Sequence, residues 1–298
     1  MGKKIGFIDY YIDEWHANNY PQMIRESSYG DKFEVALAWE EVTLSGKKPL
    51  DEWCKEQGVA KAASLEQVVA ECDCIVVLSP DNVERHEDLA ALPLASGKPV
   101  YVDKPFAPSL EVGRRMVERA RAHNTPMMSS SALRFDSTVE KALAQIGNQP
   151  VHFVSTRGPG SFDIYAIHQV EPIVTVIGTG AKRVMQCGAG ENKLMIIDYG
   201  DGRRAVMNQI PNHPFQFSVQ YGDTGVYVCD SMTDFFPRFI EAMLRFFDTG
   251  VSVVPVEQTL EIAAILEAGT AALSRPDEWI EVPRCEIVYE KTRSSAME

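Results

Sequence analysis

Cys74-Ile75-Val76-Val77-Leu78 is a wholly apolar run closed by Ser79-Pro80-Asp81, and Val100-Tyr101-Val102 repeats the pattern, closed by Asp103-Lys104-Pro105. Short apolar runs with turn residues at one end read as strands buried on both faces. Working outward, Lys4 to Ile8 and Phe33 to Trp39 are two more, and Pro126-Met127-Met128-Ser129 starts another. Helical stretches separate them: Ala17 to Ser27, Leu50 to Gln57 stopped by Gly58, Ser64 to Val69, Val83 to Ala95 broken at Pro93, and Ser109 to His123. Ser64 and Ser109 are N-caps, and Arg119 and Arg121 suit a last helical turn. This alternation predicts a doubly wound α/β domain with a parallel sheet covered on both faces. In such sheets ligands bind outside the carboxyl ends of the strands, so the residues just after each strand carry the interest.

The second half reads differently. After a helix at Val139 to Ile146, alternating strands begin at His152-Phe153-Val154-Ser155 and continue at Arg183 to Cys187, Lys193 to Tyr199, Arg204 to Asn208, Phe215 to Tyr221 and Gly225 to Cys229. Glycine turns between them predict an antiparallel meander. Helices follow at Phe235 to Phe247 and Val256 to Leu273, and the polar tail after Arg284 is expected to be loose. The switch near Ser131 to Asp136 divides the chain into residues 1–132 and 133–298.

Composition narrows the function. The chain has 298 residues, 45% of them apolar and 24% charged, as in ordinary globular proteins. With 29 basic and 42 acidic side chains its net charge is −13, which speaks against nucleic acid and anionic membrane surfaces as partners. The apolar start Ile5-Gly6-Phe7-Ile8 ends at Asp9, too short for a signal-peptide core, and no apolar run suits a membrane span. Six cysteines form no disulfide framework, and Cys72-Asp73-Cys74 has no second pair to complete a metal site, so no metal is expected. A cytoplasmic location fits.

Three strand ends carry reactive groups. Ile8-Asp9-Tyr10-Tyr11-Ile12-Asp13-Glu14 stands where a dinucleotide-binding fold needs Gly-x-Gly-x-x-Gly, whose glycines let the backbone approach a pyrophosphate. Bulky tyrosines and acids stand there instead. The second end is Ser79-Pro80-Asp81, with His86 five residues on. The third is Asp103-Lys104-Pro105, where the proline keeps Lys104 extended and able to aim its ammonium across the crevice.

Ser79-Pro80-Asp81 with His86, then Ala95-Ser96-Gly97-Lys98-Pro99 running into Asp103-Lys104-Pro105-Phe106, resembles the glucose–fructose oxidoreductase / inositol dehydrogenase / MocA (Gfo/Idh/MocA) family, with Asp103 in place of a glutamate. Leu133-Arg134-Phe135-Asp136 is similar to the family's opening of its second domain. The stretch Asp163 to Glu171 resembles its active-site pattern, with His168 in the histidine place and Glu171 in that of the final aspartate. The resemblance implies a Rossmann-type domain plus an α+β domain with a large open, mainly antiparallel sheet, often used to form dimers or tetramers. It also implies hydride transfer between NAD(P) and a carbon of a sugar or cyclitol. Lys104 and His168 would then be catalytic, and Arg134 and Glu171 would join them at the substrate. Ile8, Asp9, Tyr10, Tyr11, Ser79, Pro80, Asp81, His86, Asp103, Lys104 and Pro105 would face the cofactor. Trp39-Glu40-Glu41 offers acids and no arginine, which leans to NAD over NADP.

His168 and Glu171 would share a helix face, the carboxylate raising the imidazole's basicity. Pro172 suggests instead that the helix starts there, with His168 on the approach loop. The tyrosine- and acid-filled first turn supports an alternative, a relative that has lost ordinary dinucleotide binding and serves as a sugar-binding or regulatory module or a non-redox enzyme. A scaffold role through the exposed sheet is the third reading.

Overall fold

The computed structural model describes residues 2–190 and 192–284; the tail beyond Arg284, with Cys285, lies outside the described residues. Strands β1 (Lys3–Asp9), β2 (Phe33–Glu40), β3 (Ala60–Lys61), β4 (Cys74–Val77), β5 (Val100–Val102) and β6 (Met127–Met128) form one sheet in the order β3-β2-β1-β4-β5-β6. Every pairing is parallel. All four residues of β4 and all three of β5 are buried, as expected for strands with helices on both faces. The strand order reverses between β1 and β4, which puts the ligand crevice above their carboxyl ends.

Helices α1 (Trp15–Glu26), α2 (Leu50–Gln57), α3 (Leu65–Glu71), α4 (His86–Leu89) and α5 (Leu110–Ala122) connect the strands. The Ser109 side chain caps α5 by accepting the Val112 amide, and Gly58 ends α2 with φ at 71°, a left-handed conformation that glycine adopts without strain. The helix expected from Val83 to Ala95 is instead α4 flanked by 3-10 turns at Val83–Arg85 and Pro93–Ala95.

The second half contributes α6 (Ser137–Ile146), β7 (Val151–Gly158), α7 (Phe162–Ile177), β8 (Arg183–Ala189), β9 (Asn192–Asp198), β10 (Arg204–Gln209), β11 (Gln216–Tyr221), β12 (Gly225–Cys229), α8 (Phe235–Thr249), α9 (Val256–Leu273) and β13 (Ile280–Glu281). Its sheet runs β12-β11-β7-β10-β9-β8-β13. This corrects the expected meander: β7 lies between β10 and β11 and pairs with β10 in parallel, the other pairings being antiparallel. The cause is α7, which follows β7 and returns across the sheet, so that two hairpins approach β7 from the side and β11 closes on its other edge. One face is buried through Met195, Ile197, Ala205, Met207, Phe217 and Val219, while Val226 and Val228 of β12 are exposed.

The halves are not spatially separate. Phe239, Ile240, Met243, Leu244, Phe246 and Phe247 of α8 join one apolar cluster with Ile5, Phe7, Tyr20, Ile24, Phe33 and Tyr101. Helix α8 therefore covers the first sheet, and its N-terminal end closes over that of α1.

Candidate active site

The third strand end and the second sheet's first helix meet at one cavity of about 430 Å³. Lys104, from the tip of β5, and His168, from α7, both line it, together with His16, Trp15, Glu14, Asp81, Tyr165, Phe215 and Phe236. The Lys104–Pro105 peptide is cis. Its side chain is only 5% exposed, and among the described residues no carboxylate pairs with its ammonium. A buried cation without a partner is costly, so the cavity is electrostatically prepared for an oxygen-rich or anionic group.

Contrary to the proline's suggestion, His168 sits inside α7, which runs unbroken through Pro172. Burial of Ala166, Ile167, Val170, Ile173 and Val174 holds the helix through the missing amide. Glu171 does not reach His168. Its carboxylate accepts Arg134 Nε at 2.5 Å, Ser130 Oγ at 2.9 Å and the Ser131 amide at 3.1 Å. His168 Nδ1 instead meets Ser131 Oγ at 2.8 Å. The expected rise in His168 basicity is thus reversed: burial, then the positive charge of Lys104, pushes its pKa well below the usual imidazole value. His168 is neutral at pH 7.

Arg134 and Glu171 are set apart from the Lys104 cavity. The Arg134 guanidinium also donates to Gln258 Oε1 at 2.7 Å, and it lines a different hollow, of about 620 Å³, with Glu140, Arg238 and Arg245. Glu171 is 2% exposed, so the pair braces the turn at Ala132–Phe135. His86 is fully buried, its ring nitrogens 3.1 Å from the Phe106 carbonyl and 3.0 Å from that of Ser79. It ties the loop after β4 to the loop after β5.

Sequence reasoning missed His16. Its Nδ1 makes a short hydrogen bond to Asp103 Oδ2, and its ring stacks on Tyr20 at 5.0 Å. Burial alone would raise the Asp103 pKa, but His16 and Lys104 outweigh it and bring it down to about 2. Asp103 is therefore a carboxylate, and its contact with Nδ1 leaves Nε2 as the ring nitrogen not engaged by it. The one available signal was positional: His16 and Asp103 each follow a strand of the parallel sheet.

The first turn is filled by the chain itself. Glu14 caps α1, its carboxylate accepting the amides of His16 at 2.6 Å and of Ala17. Those amides form the helix N-terminus where the fold would hold a pyrophosphate. Burial, reinforced by Asp103, raises the Glu14 pKa to about 7 against the opposing charge of His16. Asp9 is fully buried with neither carboxyl oxygen hydrogen-bonded, and burial followed by the Glu14 charge pushes its pKa well up. Glu40, the acid placed for a ribose, accepts the amides of Ile12 at 2.9 Å and Leu50 at 3.2 Å and the Thr43 hydroxyl at 2.5 Å. Two bridges cross the groove: Tyr11 reaches Asp81, and Arg85, lying over the Tyr10 ring at 5.6 Å, pairs with Glu41. Ile8, at the end of β1, is fully buried, and Ser79 is 1% exposed with φ at 77°. Pro80 and Asp81 line the Lys104 cavity.

Residues 14–130 match the family model described as "Oxidoreductase family, NAD-binding Rossmann fold". The match falls on the parallel-sheet half of the chain and is to the Gfo/Idh/MocA oxidoreductase family. An uncharacterized oxidoreductase from Streptococcus pneumoniae serotype 4 is 32% identical over 99 residues, which are 33% of this chain and 26% of that protein. The matches to curated relatives span 26% to 39% of those proteins' lengths. Among solved structures, a probable dehydrogenase from Thermotoga maritima superposes with a TM-score of 0.76 at 14% identity, covering 94% of this chain and 98% of that one. The WlbA dehydrogenase from Bordetella pertussis, in complex with NADH and UDP-GlcNAcA, gives 0.72 at 15% identity, covering 96% and 100%. These likenesses establish that both sheets follow the fold of these dehydrogenases. The family binds NAD on this fold, yet the residues of this chain do not fit that cofactor in its ordinary place. The helix-end amides are taken by Glu14, Glu40 is engaged, and tyrosines stand where glycines would admit the pyrophosphate.

No cluster of metal-ligating side chains occurs among the described residues, and none of their helices is long and apolar enough to cross a membrane.

Proposed function

We propose that the Lys104 cavity binds a small sugar- or cyclitol-like molecule and exchanges a proton with it, without a nicotinamide bound over the first turn. The observation that carries this reading is the convergence of Lys104, His168 and His16 on one cavity whose other walls are largely aromatic. Lys104 is the cation that orients a substrate oxygen. His168, held neutral and oriented by Ser131, is able to give or take a proton at that oxygen. Trp15, Tyr165, Phe215 and Phe236 offer flat apolar surface for a sugar's C–H faces. In this reading residues 1–132 supply Lys104 and residues 133–298 supply His168. A second copy of the chain is proposed to dock on the open sheet face that exposes Val226 and Val228, and the cytoplasm is proposed as the compartment.

The family match favours a second reading: hydride transfer between NAD(P) and a carbon of such a substrate. A thermal-shift panel of myo-inositol, glucose, fructose, NADH and NADPH separates the two. The first reading expects a polyol or keto-polyol to raise the melting temperature, and Lys104→Met and His168→Ala to abolish that rise while the circular dichroism spectrum stays native. Stabilisation by NADH with substrate-dependent loss of its absorbance establishes the second.

A further inference from the structure

We infer that His16, backed by Asp103, is the general base of a redox-neutral proton transfer at a carbon beside the ketone or aldehyde group of the cavity's ligand; this rests on the reading above. Three observations support it independently of the family. First, His16 lines the same cavity as Lys104 and is 7% exposed, so a base stands beside an unpaired cation out of bulk water. Second, the Asp103 carboxylate holds Nδ1, and Tyr20, Trp15 and Phe236 pack around the ring, so its orientation is fixed. Third, the groove that would admit an electron-carrying dinucleotide is crossed by the Tyr11–Asp81 and Arg85–Glu41 bridges.

A carbon-bound proton is acidic enough for an imidazole only beside a carbonyl, which defines the substrate class. Nε2 of His16 takes that proton. The C–H electron pair becomes the carbon–carbon double bond of an enolate, and the carbonyl pair moves to oxygen, where the Lys104 ammonium meets the negative charge. The proton then returns to the same carbon or, for a hydroxyketone, to the neighbouring one. Nothing is oxidised or reduced overall, and no co-reactant is needed. His168, neutral on the α7 side, is placed to shuttle the hydroxyl proton that such an isomerisation also moves. The charged and titratable groups around His16 are Glu14 and Tyr20 from its own segment, Asp103 and Lys104 from the end of β5, and His168 from α7; α8 presents Phe236.

The test incubates the full chain in deuterium oxide with 2-keto-myo-inositol or fructose, without nicotinamide, and follows C–H to C–D exchange by NMR against a protein-free control. Wild-type protein should exchange the position beside the carbonyl. His16→Ala should lose about 100-fold or more of that rate and regain part of it on adding imidazole, while its circular dichroism spectrum stays native. His16→Ala exchanging like wild type overturns the inference and leaves the binding reading standing. Exchange that appears only on adding NAD also overturns it. Absence of both exchange and thermal shift with both keto compounds defeats this inference and the binding reading together.

Discussion

The Tyr11 hydroxyl donates to Asp81 Oδ2 at 3.3 Å, so a side chain from the end of β1 reaches the loop after β4. These are the two strands between which the sheet order reverses, and the bridge lies across the opening where a dinucleotide would run. Burial and the Asp81 charge push the Tyr11 pKa up to about 12, so the phenol stays a donor throughout the physiological range.

Nicotinamide cofactors should leave stability untouched. With about 1 mM NADH or NADPH the melting temperature should move by less than about 1 °C, because only a ligand that binds the native state raises it. A clear rise at micromolar NADH would show that the groove opens.

Glu14 should make the protein more stable on the acid side of neutrality. Its folded pKa, about 7, lies above the ordinary 4.5, so the folded state keeps a proton that the unfolded chain releases. Stability contributed by the protonated form is full below 4.5 and declines as pH rises to about 7, by up to ~3 kcal/mol at ~1.4 kcal/mol per unit. Urea unfolding at several pH values should show a steeper decline for wild type than for Glu14→Gln, with buried Asp9 supplying the residual slope. Equal slopes would remove Glu14 from the account.

Breaking the Arg134–Glu171 pair should harm the fold. Arg134→Met or Glu171→Gln leaves a buried partner uncompensated, at a cost of about 3–5 kcal/mol in urea unfolding. The double variant Arg134→Met/Glu171→Leu should lose much less than the sum. Single variants that stay fully stable but lose ligand binding would return these residues to the substrate.

Gly6 serves packing rather than phosphate. A Cβ at this position would lie 2.3 Å from Val68 Cγ1 and 2.9 Å from Cys72 Sγ. Gly6→Ala should therefore destabilise by about 1–3 kcal/mol in chemical denaturation, since α3 must move off the sheet. A neutral effect would mean that α3 yields easily.

The parallel sheet was legible because each strand is a short apolar run with its own stop, and such runs need no distant partner to be recognised. The second sheet's order was not, because the place of β7 depends on how α7 folds back. Lys104 could be read from the proline that follows it. The spacing of His168 and Glu171 correctly implied one helix but suggested the wrong partner. Spacing along a chain says nothing of Arg134 and Ser131, which arrive from another segment and claim Glu171 first. His16 and Asp103 are separated by most of the parallel sheet's sequence, so only the folded chain brings them into contact.

The placement of α8 has a consequence for synthesis. The sheet that ends at Met128 keeps an apolar flank bare until Phe235–Thr249 arrives, more than a hundred residues later. A nascent chain on the ribosome, or a fragment cut after residue 132, should be sticky and attract chaperones, because transiently exposed apolar surface drives aggregation.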